Sequence, residues 1–90
     1  MIDFRQIRET LMGLAATEKE LAGKTVRYIK AEMKRAGVTY AELAKRLESH
    51  GLRETEASIA NKFSRGTIAA TLLLATLAAL GLPGIQLDEL

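Results

Sequence analysis

Ninety residues, 48% of them hydrophobic and 4% aromatic, make one domain whose core must be assembled from Leu, Ile, Val, Met and Ala. The absence of cysteine excludes disulfides, thiolate nucleophiles and Cys-ligated zinc. The net charge of +2 is unevenly placed: residues 1–20 carry −1 and residues 66–90 carry −2, while residues 24–65 carry +5.

In chain order, Phe4, Ile7, Leu11 and Leu14 recur at helical spacing with Asp3 as N-cap, which predicts a short leading helix over 4–15. Asp3, Arg5, Arg8, Glu9, Glu18 and Glu20 give this end a composition unlike a secretory signal, and a cytoplasmic protein is expected. Thr17-Glu18-Lys19-Glu20 has the form of a capping box, the hydroxyl taking the amide of Glu20 and the carboxylate taking the amide of Thr17. It opens a helix over 18–36 that stops at Gly37. The buried stripe of that helix is Ala22, Val26, Ile29, Met33 and Ala36, and Lys24, Arg27, Lys30, Lys34 and Arg35 make a basic stripe that by default is a solvated face. Thr39-Tyr40-Ala41-Glu42 is a second box, opening a helix over 40–48 with Leu43 and Leu47 inward. Thr55 caps a helix over 56–64 that buries Ile59 and Phe63 and ends at Gly66. Thr67 opens an apolar helix over 68–80, closed by Gly81 and Pro83-Gly84, with Leu73, Leu77 and Leu80 inward. No strand-like alternation, repeat or low-complexity segment interrupts this all-α pattern.

These residues resemble a known family. The basic helix ending in Ala36-Gly37-Val38-Thr39, the body Ala41-Glu42-Leu43-Ala44-Lys45-Arg46-Leu47, the helix from Thr55 to Gly66, and the pieces Thr71-Leu72-Leu73-Leu74 and Ala79-Leu80-Gly81-Leu82 together resemble lambda-repressor-like (Xre-type) helix-turn-helix proteins. The resemblance implies a helix-turn-helix bundle of four to five helices over 17–90, preceded by a leading segment over 1–16, and a function in DNA binding. The chain also resembles, more closely, an uncharacterised bacterial domain family, through Gly37-Val38-Thr39-Tyr40 and the stretch from Ile59 to Gly66; that likeness supplies no function. The turn over 49–54 is longer than is usual in the helix-turn-helix family, and Tyr40 stands where that family commonly places a phosphate-touching Gln.

The groove chemistry can be read from the residues themselves. With Ile59 and Phe63 inward, Ala57, Ser58, Asn61, Ser64 and Arg65 point outward or sideways. Asn pairs bidentately with adenine, Arg with guanine, and Ala approaches a thymine methyl. Lys62 and Lys45 lie at the edges, where phosphate contacts are expected, while Glu54 and Glu56 put negative charge at the start of the helix.

Other chemistry finds no support. His50 is the sole histidine, and Ser49-His50-Gly51 reads as a helix C-terminus rather than a catalytic or metal site. The glycines form no phosphate-binding loop, so neither an enzyme nor a cofactor, metal or small-molecule substrate is expected. The uncharged run over 66–87 contains a helical part too short for a bilayer, which takes ~20 apolar residues, so no membrane span is expected.

Thr71, Ala75, Ala78 and Leu82 then fall on the far side of that helix, where the resembled family usually carries charge at the positions matching Ala75 and Ala78. A helix apolar all round calls for burial on every side. Either a second copy covers this face, making a homodimer, or the leading segment with Phe4, Ile7, Leu11 and Leu14 does. The expectation is a small bacterial DNA-binding protein, a dimeric transcriptional regulator with duplex DNA as its partner. The alternative is a helical interaction module of the same fold without DNA binding.

Overall fold

Threonine starts and glycine stops divide this chain into its elements. The computed structural model describes residues 5, 8, 11 and 13–90. Among them lie four α-helices and no strand: α1 (Glu18–Ala36), α2 (Tyr40–Glu48), α3 (Glu56–Arg65) and α4 (Ala70–Ala79), followed by a 3₁₀ turn over Leu87–Glu89. Asp3, Phe4 and Ile7, on which the expected leading helix mainly rests, lie outside the described residues. Arg5, Arg8 and Leu11 have helical backbone, and Leu11 and Leu14 are half-buried. The Lys24 ammonium donates to the carbonyl of Leu14, fastening the end of this segment to α1.

The caps differ in detail from expectation. Thr17 Oγ1 accepts from the Glu20 amide at 3.1 Å, but the Glu20 carboxylate takes the amide of Ala16, at 3.2 Å, instead of that of Thr17. Thr39 Oγ1 accepts from the Glu42 amide at 3.2 Å, while the Glu42 carboxylate turns along the helix to Arg46 at 3.4 Å. The box that closes reciprocally is at Thr55: Ser58 N donates to Thr55 Oγ1 at 3.0 Å and Thr55 N donates to Ser58 Oγ at 2.8 Å. A serine hydroxyl does there what a carboxylate was expected to do elsewhere, and Glu is left free for ion pairing.

Gly66 shows why α3 stops where it does. Its φ of +68° is a left-handed conformation that a side chain disfavours, and a Cβ at this position would stand 3.0 Å from Ala22 Cβ of α1. The Gly66 and Thr67 amides close the last turn on the carbonyls of Phe63 and Lys62, at 3.2 and 3.0 Å. Thr67 therefore serves the end of α3 and not the start of the next helix. The chain runs extended through Ala69, whose side chain supplies no cap, and α4 begins at Ala70, two residues later than the pattern predicts.

One core joins all four helices: Val26, Ile29 and Met33 of α1, Leu43 and Leu47 of α2, Ile59 and Phe63 of α3, and Leu72, Ala75 and Leu77 of α4, with Val38 from the first turn. Short α2 is the wall against which both α3 and α4 pack. The rotation of α4 corrects the expected one. Its inward row is Leu72, Ala75, Thr76 and Leu77, Leu73 and Leu80 are half-buried, and Leu74 is 64% exposed. Because this helix is apolar around its whole circumference, hydrophobic spacing carries no phase, and the small side chains of Ala75 and Thr76 end up inside. No helix among the described residues is long and apolar enough to cross a membrane.

Candidate nucleic-acid interface

The outward face of α3 is set by what its inward face buries. Ile59 is fully buried and Phe63 is 2% exposed, and the Tyr40 ring meets Phe63 edge-on at 5.5 Å between centroids, an arrangement aromatic pairs favour. Tyr40, expected to lie at phosphate, is thus half-buried and anchors the start of α2 on α3. On the opposite side Ala57, Asn61, Ser64 and Arg65 are exposed and form one stripe along the helix.

Ser58 and Lys62 lie at the border of this stripe, and their polar atoms turn to Glu54. The Lys62 ammonium donates to one Glu54 carboxylate oxygen at 2.7 Å and the Ser58 hydroxyl donates to the other at 2.8 Å. The hydrogen bond from Lys62 holds the Glu54 carboxyl below the usual carboxylate range, with Ser58 adding to it and partial burial opposing it. Glu54 therefore fastens the long turn onto α3. Glu56 remains exposed at the first turn, and Lys45 is exposed on α2.

The stripe runs into a cationic cleft that takes Arg27 and Lys30 from the basic face of α1. Ser64 and Arg65 at the end of α3 share an open cleft of about 710 Å³ with Lys19, Arg27 and Lys30 of α1, Glu18 being the one carboxylate in its wall. These four cations take part in none of the ion pairs among the described residues. Lys30 also lines a smaller hollow with Lys34, Thr39 and Tyr40 at the N-terminus of α2, so positive charge continues to the positive end of that helix dipole. The concentration of charge in residues 24–65 was the visible signal; which cations meet Ser64 and Arg65 depends on the crossing of α1 and α3.

The proposed dimer face is only partly assembled. Thr71 and Ala78 are exposed and Leu82 is half-buried, whereas Ala75 is 8% exposed and belongs to the core. Leu74, which the expected rotation did not place outward, projects there instead. His50 is exposed at the end of α2, its amide donating to the Leu47 carbonyl at 3.0 Å. No three His, Cys, Asp or Glu side chains converge among the described residues.

Caps, core and cleft define a small all-helical domain organised around α2. The family model that matches it, a domain of unknown function (DUF6471), covers residues 22–85, from the first turns of α1 past the end of α4. The chain belongs to that family. No curated protein and no solved structure matches the chain.

Proposed function

We propose that this domain has a lambda-repressor-like helix-turn-helix arrangement and binds duplex DNA through α3 as a transcriptional regulator. The observation that carries the reading is the junction of the exposed α3 stripe with the cleft of Lys19, Arg27, Lys30 and Arg65. Cations held in no ion pair among the described residues are well placed to replace condensed counterions on a phosphate backbone, and release of those counterions drives association. In this reading Ala57, Asn61 and Ser64 face base edges, with Asn61 the principal reader through an adenine, while Arg65 stands where stripe and cleft meet. Arg27 and Lys30 hold the adjoining phosphates, and Lys45 lies at the other edge. Negative charge at Glu54 is already balanced by Lys62, which weakens the objection that the acidic start of α3 repels DNA. Titration of the protein with duplex DNA over a range of salt tests the proposal: affinity falls steeply with salt if phosphate contacts drive binding, and absence of binding at low salt refutes it.

A second reading is favoured by Leu74, 64% exposed on a helix whose outward residues Ala70, Thr71 and Ala78 carry no charge. We propose that this face docks a second copy, giving a homodimer that presents two α3 helices, with Leu74 in the role the sequence reading gave to Ala75. Sedimentation of the native chain and of Leu74→Glu tests it. A protein that is monomeric at every concentration removes the dimer and leaves the face to another protein partner.

A further inference from the structure

We propose that Glu54 is a built-in counter-charge of α3, withholding Lys62 from DNA and so limiting the number of phosphates the domain neutralises; this rests on the DNA reading above. Both carboxylate oxygens of Glu54 are engaged, one by Lys62 Nζ at 2.7 Å and the other by Ser58 Oγ at 2.8 Å. The carboxylate side chain is 11% exposed, while that of Lys62 is 42% exposed. The asymmetry decides which way the pair resolves when a phosphate approaches. The ammonium is reachable, but moving it to DNA leaves a partly buried carboxylate without its cation and beside a second negative charge, and losing that pairing costs more than a surface phosphate contact gains. Lys62 therefore stays on Glu54 in the complex, and the pair meets the duplex as a neutral unit.

The same contact accounts for the two residues of the α3 border whose polar atoms are not directed outward. Ser58 and Lys62 each direct a donor to Glu54, and the stripe without such a contact narrows to Ala57, Asn61, Ser64 and Arg65. The turn that carries Glu54 thereby trims the cationic footprint from within, without any residue of the cleft being changed.

The test compares the native chain, E54Q and E54Q/K62Q binding a mixed-sequence duplex, each with its helical content checked by circular dichroism. Gln at position 54 keeps the shape and the acceptor for Ser58 while removing the charge. E54Q frees one cation, so its log–log salt slope steepens by about 0.9 and its affinity at low salt, ~50 mM, rises roughly tenfold. The double variant has the native net charge and lacks only the pair, so its slope and affinity return to native values. A double variant with a flatter slope than native shows that Lys62 already sits on a phosphate, and overturns the proposal. So does an E54Q slope equal to native, or an E54Q gain that survives the loss of Lys62. Should E54Q lose its fold, the charge-neutral double variant decides alone. If all chains bind with one common slope, the DNA reading stands and this inference falls; if none binds at low salt, both fall.

Discussion

The Arg46 guanidinium of α2 donates to the carbonyl of Ala79 at the end of α4, with 2.9 Å between Nη1 and the oxygen. A helix C-terminus leaves its last carbonyls without intrahelical partners, and a cation placed there meets both an acceptor and the negative end of the dipole. The same side chain pairs with Glu42 at 3.4 Å, so one residue ties the first turn of α2 to the last turn of α4. Arg46→Ala is expected to lower stability by about 1 kcal/mol, the modest value reflecting a half-exposed group. Urea unfolding checks it, and Glu42→Ala should reproduce only a small part of that loss, because it leaves the α4 contact in place.

Gly66 and Ala22 form a tight contact between α3 and α1. Gly66→Ala adds a Cβ in a left-handed conformation and places it against Ala22, so it should destabilise by about 2 kcal/mol or more. Ala22→Gly, itself costing about 0.5–1 kcal/mol in a helix, removes the collision and leaves the backbone strain. A double-mutant cycle in denaturant should therefore show favourable coupling between the two changes; additive losses would mean the helices separate freely at this point.

Much of the framework was legible because the local signals agree. The helices expected over 18–36 and 40–48 coincide with α1 and α2, since a Thr cap and a stopping residue bound each amphipathic segment. Ile59 and Phe63 were identified as the inward face of α3 for the same reason. The apolar α4 escapes this logic: it has no polar face to phase it, and Thr67, a cap by sequence pattern, closes α3 with its amide instead. Two features of the site depend on the tertiary fold. Lys62 and Glu54 meet because the long turn folds back along α3, and Arg65 joins Arg27 and Lys30 only through helix crossing. Spacing along one helix reveals neither.

Thr76 is 1% exposed, and its hydroxyl has no hydrogen-bond partner among the described residues. A buried, unsatisfied hydroxyl costs free energy that an apolar group of the same shape does not. Thr76→Val is expected to raise stability by about 1 kcal/mol, read as a higher thermal midpoint with the helical spectrum unchanged. A lower midpoint would show that the hydroxyl is in fact satisfied.

The lowered pKa of Glu54 links its contacts to pH. The folded state binds this proton less readily than the unfolded chain, where the ordinary value is near 4.5, so the contribution is complete above that value. It is lost as pH falls through the lower folded value. Thermal midpoints of the native chain and Glu54→Gln should therefore differ most above pH 4.5 and converge in acid. Curves that stay parallel across this range would mean that the ion pair adds nothing to stability.

Base and phosphate contacts in the proposed complex are separable by their signatures. Asn61→Ala is expected to weaken binding to the preferred duplex by about 1–3 kcal/mol with little change in non-specific affinity, since only a base contact is lost. Lys30→Ala should weaken binding to every sequence and flatten the salt slope by about one unit. Selection from a random duplex pool followed by anisotropy titrations measures both.

The position of α2 has a bearing on how the molecule opens. Leu43 and Leu47 are fully buried, in a nine-residue helix whose sides are occupied by α3 and α4. A helix that short has little stability in water by itself, so α2 exists only while both neighbours are docked, and neither neighbour keeps its own inward face covered without α2. Opening of α2 is consequently expected to disturb α3 and α4 together. The amides of Leu43, Leu47 and Ile59 are therefore expected to exchange with solvent at one common rate set by global opening, which native-state hydrogen exchange measures.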